Sequence, residues 1–178
     1  MGREIRRVPP NWEHPRRRCE HSPWAGGCDE AKRNGGMCYH PLYNLAFGPE
    51  MDAWYGEWKK WEAGDRGDCD DPEMKFLEWH GGPPDPEYHR PAWDESIATW
   101  FQVYETVSEG CPVTPPFATK EELIDYLATH GDFWDQLRGD GPWSRENAER
   151  FVEREWAPSM IMEVTDGHSE LKMPRDGA

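Results

Sequence analysis

Hydrophobic side chains recur at helical spacing in three stretches of the chain. The first stretch ends at Gly64, and its apolar residues stand three and four positions apart, which places them on one helix face. These residues are Met51, Trp54, Trp58 and Trp61. A capping-box pattern of Thr119 and Glu122 opens the second stretch, which Gly131 ends. Ser144 is a typical N-cap for the third, so the pattern predicts three amphipathic helices.

Residues 94–107, DESIATWFQVYETV, predict a further and central helix. Asp94 suits an N-cap, and four apolar residues then share one face. They are Ile97, Trp100, Phe101 and Tyr104. In the next segment, 108–119, three prolines exclude an interior strand but permit an edge strand.

The two ends of the chain show other patterns. Pro9, Pro10 and Pro15 prevent a continuous helix in the first 18 residues, which we expect to form an extended arm. Residues 159–173 hold two short runs on either side of Asp166 and Gly167, a pattern typical of a hairpin. The predicted fold is α+β: a helix-rich single domain with a small antiparallel sheet or C-terminal hairpin, plus an irregular zinc-stapled N-terminal segment.

Charge divides the chain more sharply than hydropathy does. The net charge is −15, yet residues 1–40 carry eight Lys and Arg against five Asp and Glu, and the remainder carries 12 against 30. We therefore expect a basic arm with a Cys/His-rich segment over 1–44 and an acidic, Trp-rich α+β domain over 45–178. An acidic domain repels nucleic acid and attracts basic surfaces. The alternative is that the charge serves solubility alone.

The sequence also bears on the cellular compartment. It contains no apolar run long enough to span a membrane and no secretory signal, so we expect a soluble, cytoplasmic protein without a membrane partner. Five cysteines are an odd number, and three of them lie within 20 residues. In a reducing compartment this favours metal binding or free thiols over a disulfide framework.

The stretch from Cys19 to His40 reads C-x-H-x6-C-x9-C-x-H. Structural zinc takes four thiolate or imidazole ligands in a tetrahedron, and Cys19, Cys28 and Cys38 are the natural three. We expect His40 as the fourth ligand, with His21 as the alternative and His14 in reserve. Free thiols remain an alternative, whereas a catalytic metal would need an open position and a base that nothing in the stretch marks.

Two charged clusters are candidate binding residues. The triplet Arg16, Arg17 and Arg18 suits phosphate or an acidic patch, although pairing with the protein's own carboxylates is an alternative. Asp68, Asp70 and Asp71 form an acidic cluster without EF-hand spacing, for which an exposed charge run is the alternative.

No catalytic residue is predicted. The chain lacks a phosphate-binding loop, a dinucleotide fingerprint and an H-E-x-x-H motif. A small enzyme with its site in the Gly/Pro-rich loop near His80 and His89 stays an alternative.

Several longer strings carry a resemblance. They are REIRRVPPNWEHP, HSPWAGGCDEAK, CYHPLY, RPAW, YETVSEG, FATKEELIDYLATHGDFWDQ and WAPSMIM. Together they resemble a family of small proteins encoded by bacteriophages and prophages that has no assigned activity, and the likeness runs over nearly the whole chain. The resemblance implies a protein made in the cytoplasm of an infected bacterium and supplies no catalytic residue.

These observations predict a non-enzymatic interaction protein that inhibits or modulates a host or defence factor. Its acidic surface would imitate nucleic acid, so the expected partner is a basic or nucleic-acid-binding protein of the host or the phage. The alternatives are a zinc-stabilised nucleic-acid-binding or regulatory protein, a virion component and a small metal-dependent enzyme.

Overall fold

The computed structural model describes residues 2–21, 28–106, 110–158, 161–165 and 168–172. These residues contain helices and small antiparallel sheets, which confirms the expected α+β class. The chain forms two compact units: unit 1 is Met1–Pro41 with Trp93–Ala178, and unit 2 is Leu42–Ala92. The division by charge into 1–44 and 45–178 follows a different criterion and stays a prediction.

A three-stranded antiparallel sheet organises unit 1. It consists of β1 (Arg3–Val8), β6 (Trp100–Glu105) and β7 (Trp156–Ala157), with β1 in the middle. The expectation of an N-terminal arm is therefore wrong for residues 3–8. The sequence did not predict this strand because three of its six residues are arginines, which are rarely buried. Arg3 is buried because it pairs with Asp132, far along the chain.

The central helix predicted over 94–107 is also wrong, because Trp100–Glu105 is a strand. The strand sequence WFQVYE is rich in aromatic and β-branched residues, which favour β-structure. Five of its six residues are buried, so apolar residues occupy both faces and do not alternate with polar ones. In such a run, some apolar residues stand three and four positions apart by coincidence, which resembles the pattern of a helix. Asp94 closes a turn instead of a helix, since its Oδ1 accepts a hydrogen bond from the Ser96 backbone N–H at 2.8 Å.

The proline-containing segment lies beside this strand, as expected for an edge. Val113 N–H donates to the Val103 carbonyl at 2.8 Å, and Phe101 and Phe117 exchange two hydrogen bonds of 2.8 Å each. The prolines fit here because the segment's other edge needs no ladder hydrogen bonds.

Three helices pack on the sheet of unit 1: α4 (Lys120–His130), α5 (Phe133–Arg138) and α6 (Arg145–Arg154). The predicted capping box is confirmed, with Glu122 N–H donating to Thr119 Oγ1 at 3.1 Å and Thr119 N–H donating to Glu122 Oε2 at 3.2 Å. Ser144 caps α6 as expected. The apolar faces of α4 and α6 meet β6 in a core of Phe101, Val103, Val113, Leu123, Ile124, Leu127, Trp143, Ala148, Phe151, Val152 and Ala157.

Two hairpins complete unit 1. Strands β2 (Arg16–Arg18) and β3 (Met37–Tyr39) pair in antiparallel fashion on either side of the short helix α1 (Asp29–Arg33). The predicted C-terminal hairpin is confirmed as β8 (Ile161–Thr165) and β9 (His168–Lys172). Its turn, Asp166 and Gly167, lies outside the described residues.

Unit 2 contains the tryptophan-rich helix. Its elements are β4 (Tyr43–Ala46), α2 (Phe47–Glu62), α3 (Phe76–Trp79), a 3-10 turn (Pro86–Tyr88) and β5 (His89–Arg90), which pairs in parallel with β4. The predicted helix is confirmed, and Gly64 follows it at a φ of +94°. Trp54 and Trp61 pack edge-on against Phe76, with ring centroids 5.3 and 5.8 Å apart. Part of the tryptophan stripe is therefore packing surface.

Candidate metal centre

The β2–β3 hairpin and α1 bring three cysteines together. Cys19 directly follows β2, and its backbone N–H donates to the Gly36 carbonyl at 2.9 Å. Cys38 lies in β3, opposite Arg17, and is buried. Cys28 immediately precedes α1. Cysteines separated by up to 19 positions thus meet at one end of the hairpin.

These cysteines and His21 form a compact group of metal-ligating atoms, all within 4.8 Å of one another. The Cys19 and Cys28 sulfurs are 3.6 Å apart, and His21 Nδ1 lies 3.5 Å from Cys19 Sγ and 3.8 Å from Cys38 Sγ. A tetrahedral zinc ion with Zn–S bonds of about 2.3 Å and Zn–N of about 2.0 Å sets sulfurs about 3.8 Å apart and S–N pairs about 3.6 Å apart. The observed spacings fit this geometry, so the group could hold a metal ion.

The fourth member of the group is His21 and not His40. His40 instead extends the hairpin, because its backbone N–H donates to the Pro15 carbonyl at 2.9 Å. Its carbonyl accepts from Nε2 of His14 at 2.6 Å. His14 is buried, and its Nδ1 lies 3.2 Å from the Tyr104 hydroxyl, so the reserve ligand is a packing residue.

The surroundings distinguish the thiols. The backbone N–H of Cys28 and the neighbouring His21 lower the pKa of Cys19 to about 6. Burial, together with the adjacent thiols, raises the pKa of Cys38 to about 12. Cys19 therefore ionises more readily than Cys38, and a cation beside Cys38 would favour its thiolate.

The arginine triplet belongs to the scaffold of this centre. Arg16 donates to Glu30 Oε1 at 2.8 Å, and its guanidinium lies 3.9 Å from the centre of the Tyr39 ring. Glu30 Oε2 accepts from the Tyr39 backbone N–H at 2.9 Å and so ties α1 to β3. Arg17 is half-buried, while Arg18 is exposed. Arg16 therefore pairs with one of the protein's own carboxylates.

The other candidate residues belong to unit 2, whereas the cysteine group belongs to unit 1. Asp68, Asp70 and Asp71 are exposed in the loop after α2, where Asp71 Oδ1 accepts from the Glu73 backbone N–H at 2.9 Å. His89 is buried, with Nδ1 3.2 Å from the Leu45 carbonyl oxygen. His80 is exposed and stacks on Phe76.

A cavity of about 220 Å³ adjoins the metal group. Its lining includes three members of the group, His21, Cys28 and Cys38, together with residues from α1, β3, β6, the proline segment and α5. Glu105, a buried carboxylate, is among them. Sequence reasoning missed this residue because its burial depends on partners far along the chain, namely strand β1 and Trp134.

Comparison of the chain with family models, with curated proteins and with solved structures finds no match. In the described part of the chain, no helix combines the length and apolar character needed to cross a membrane. Fold and site together define an α+β protein with a candidate Cys₃His metal centre.

Proposed function

We propose that this protein is a zinc-stabilised, non-enzymatic interaction protein of a bacteriophage. It binds a basic or nucleic-acid-binding protein of the host or its defences through an acidic surface, and inhibits or modulates that protein in the cytoplasm. The observation that carries the proposal is the concentration of exposed carboxylates on unit 2. The phage context is supported by the resemblance of the strings given above.

Unit 2 carries a high density of negative charge. Its 51 residues, Leu42–Ala92, hold twelve Asp and Glu against five Lys and Arg, a net charge of −7. Eleven of the twelve carboxylates are exposed. Large apolar side chains stand exposed among them, namely Leu45, Leu77 and Trp79. Such a surface offers both long-range attraction and apolar contact to a basic partner.

A structural role for zinc is supported by the completeness of the ligand set. Catalytic zinc sites keep one position open for water or substrate, whereas structural sites have four protein ligands. Here three cysteines and one histidine would supply all four ligands. The ion would hold the β2–β3 hairpin, α1 and the chain at Cys19 together.

Direct binding of nucleic acid by the basic N-terminal region is the weaker alternative. Arg3 is buried against Asp132, with Nε and Oδ2 2.6 Å apart. Arg6 is also buried, and its guanidinium lies 4.3 Å from the Tyr104 ring centre. Arg16 and Lys32 pair with Glu30 and Asp29, so at least four of the eight basic residues before Pro41 form ion pairs within the protein.

Affinity capture from infected-cell lysate, followed by mass spectrometry, tests the interaction. We expect a basic protein to be recovered at low salt and lost at high salt, because screening shortens the Debye length from about 10 Å at 0.1 M to about 3 Å at 1 M. Recovery that is insensitive to salt would count against an electrostatic surface. Recovery of phage structural proteins instead would assign the protein to the particle.

Two triple variants locate the surface. Asp68→Asn, Asp70→Asn and Asp71→Asn in unit 2 change the net charge by the same amount as Glu95→Gln, Glu146→Gln and Glu153→Gln in unit 1. The asparagines also keep the acceptor oxygen that Asp71 offers to Glu73. We expect only the unit 2 variant to reduce capture; equal reductions would mean that net charge, not this surface, governs binding.

Native mass spectrometry before and after chelation tests the zinc. We expect one zinc ion per chain, and a fall in melting temperature on its removal, because binding to a structural site contributes directly to folding free energy. A protein that is purified without zinc and melts at the same temperature with chelator would contradict the ligand assignment.

A further inference from the structure

The cavity beside the metal group contains a buried negative charge. Glu105, in β6, is 3% exposed. Its Oε2 accepts a hydrogen bond from Trp134 Nε1 at 2.7 Å. Among the described residues, no lysine, arginine or histidine nitrogen lies within 4.0 Å of this carboxylate.

Neighbouring buried carboxylates are compensated differently. Asp132 pairs with Arg3 at 2.6 Å, and Asp135 lies 3.5 Å from Arg138 while also accepting from Trp143 Nε1 at 2.7 Å. Arg3 stands opposite Glu105 across the β1–β6 pair, yet its Nε is directed to Asp132. A buried carboxylate without a cation is costly, so Glu105 lacks a partner that the other two possess.

The remaining charges at the cavity do not supply that partner. Glu30 and Asp29, which also line the cavity, are anionic and already form ion pairs. The Arg33 guanidinium lies 5.5 Å from the centre of the Phe133 ring but does not line the cavity. A zinc ion with three thiolates and one imidazole would add a net charge of −1 to the same cavity. Cationic ligands are therefore favoured over neutral or anionic ones.

The walls favour an organic cation over a second metal ion. Tyr39, Phe133 and Trp134 line the cavity together with Pro112 and Val113. Aromatic side chains attract ammonium groups through their ring quadrupoles, and such rings with a carboxylate form typical ammonium sites. In the described part of the chain, the Cys19, His21, Cys28 and Cys38 group is the one cluster of three or more ligands suited to a metal.

We propose that this cavity binds an alkylammonium group, with Glu105 as its counter-ion and Tyr39, Phe133 and Trp134 as its walls. The volume of about 220 Å³ corresponds to roughly seven molecules of liquid water, which suits a short alkyl chain that ends in nitrogen. The ammonium group belongs either to a free amine or to a lysine side chain of another protein. This site does not depend on the acidic surface of unit 2.

Calorimetric titration of the whole 178-residue chain, purified with any metal it carries, with n-butylammonium tests the site. Butan-1-ol and butyrate serve as neutral and anionic probes of similar size, and high, constant ionic strength screens the general attraction of cations to a chain of charge −15. We expect n-butylammonium to bind at least about tenfold more tightly than either, because a charge-assisted contact is lost with each. Equal binding of butan-1-ol, or no binding of n-butylammonium at millimolar concentration, would overturn the proposal.

Glu105→Gln tests the counter-ion directly. Glutamine keeps an acceptor for Trp134 Nε1 and removes the charge, so we expect the ligand-free variant to melt no lower than wild type and to bind n-butylammonium about tenfold more weakly. Glu153→Gln, an exposed change of equal charge on α6, should bind as wild type does. Equal affinity in both variants would refute the role of Glu105. If Glu105→Gln does not fold, the comparison of the three probes on wild type still decides.

A lysine-containing peptide identifies the source of the ammonium group. Nα-acetyl-lysine within a short peptide should bind more tightly than n-butylammonium if a protein's lysine is the natural occupant. Tighter binding of the free amine would indicate a small-molecule ligand. Failure of both would overturn the site and would leave the acidic surface of unit 2 to be judged by its own salt dependence.

Discussion

His21 and His40 are equivalent in sequence, since each stands two residues after a cysteine of the metal group. The structure separates them through the backbone: His40 extends the β2–β3 hairpin, while His21 places Nδ1 3.5 Å from Cys19 Sγ. The fourth ligand thus depends on where the hairpin hydrogen bonds continue. Spacing alone carries no information about that.

We expect His21→Ala to lower zinc affinity by at least about tenfold and His40→Ala to retain one zinc per chain, because only the first removes a ligand. Competition with a chromogenic chelator measures both. Zinc loss in His40→Ala with retention in His21→Ala would reverse the assignment.

His14, which lies outside the metal group, makes the stability of the fold depend on pH. Burial lowers the pKa of His14 from 6.5 to about 4. The unfolded chain therefore binds a proton more readily than the folded one between these values. Stability is fully present above pH 6.5 and is lost as the pH falls towards 4, by about 3 kcal/mol in all.

Denaturant unfolding of wild type and His14→Gln across this range tests the prediction. Glutamine does not titrate, so the stability difference between the two proteins should change by about 3 kcal/mol between pH 7 and pH 4. Acid release of zinc affects both proteins and cancels in the difference. A difference that stays constant with pH would show that His14 is protonated equally in the folded and unfolded states.

At the level of elements, local chemistry predicted the helices and failed for the strands of the sheet. Thr119 and Glu122 fix the start of α4 through contacts three residues apart, so the sequence contains the whole signal. Strand β1 depends on pairing with β6, about 100 positions away, and on the Arg3–Asp132 ion pair. Glu105 was also missed because its contacts are long-range: its carboxylate accepts a hydrogen bond from Trp134 in α5.

The turn between α4 and α5 provides a sharp test of backbone conformation. Gly131 has a φ of +71° and a ψ of −176°, a region open essentially to glycine alone. A Cβ there would meet Asp135 Cβ at 2.9 Å and the Gly141 carbonyl oxygen at 3.1 Å. Gly139 has a similar φ of +73°, but its ψ of 26° is left-handed helical, and a Cβ there meets nothing within 4 Å.

We expect Gly139→Ala to destabilise the protein by about 1 kcal/mol, the cost of a left-handed residue with a side chain. Gly131→Ala should cost at least about 2 kcal/mol more, because it adds a forbidden conformation and a clash with backbone. Denaturant midpoints of the two variants measure the difference. Equal midpoints would mean that the turn after α4 relaxes without strain.

At the scale of the whole molecule, charge works in two opposite ways. Buried charges are specific: Arg3 and Asp132 join the first strand to the start of α5. Exposed charges are mostly carboxylates, and the net charge of −15 repels itself. Exposed ion pairs oppose that repulsion, as where Arg145 of α6 contacts Glu121, Asp125 and Glu149.

The salt dependence of the melting temperature shows whether exposed ion pairs or repulsion among carboxylates has the larger effect. Exposed ion pairs contribute about 0–1 kcal/mol each and weaken with salt, whereas repulsion among unpaired carboxylates is relieved by it. Because Asp and Glu outnumber Lys and Arg by 35 to 20, we expect the melting temperature to rise by a few degrees between low and moderate NaCl. The unit 2 variant with Asn at 68, 70 and 71 should start higher and gain less, since three repelling charges are gone. A melting temperature that falls with salt would mean that exposed ion pairs, such as those around Arg145, outweigh the repulsion. The acidic surface would then not lower the stability of the fold.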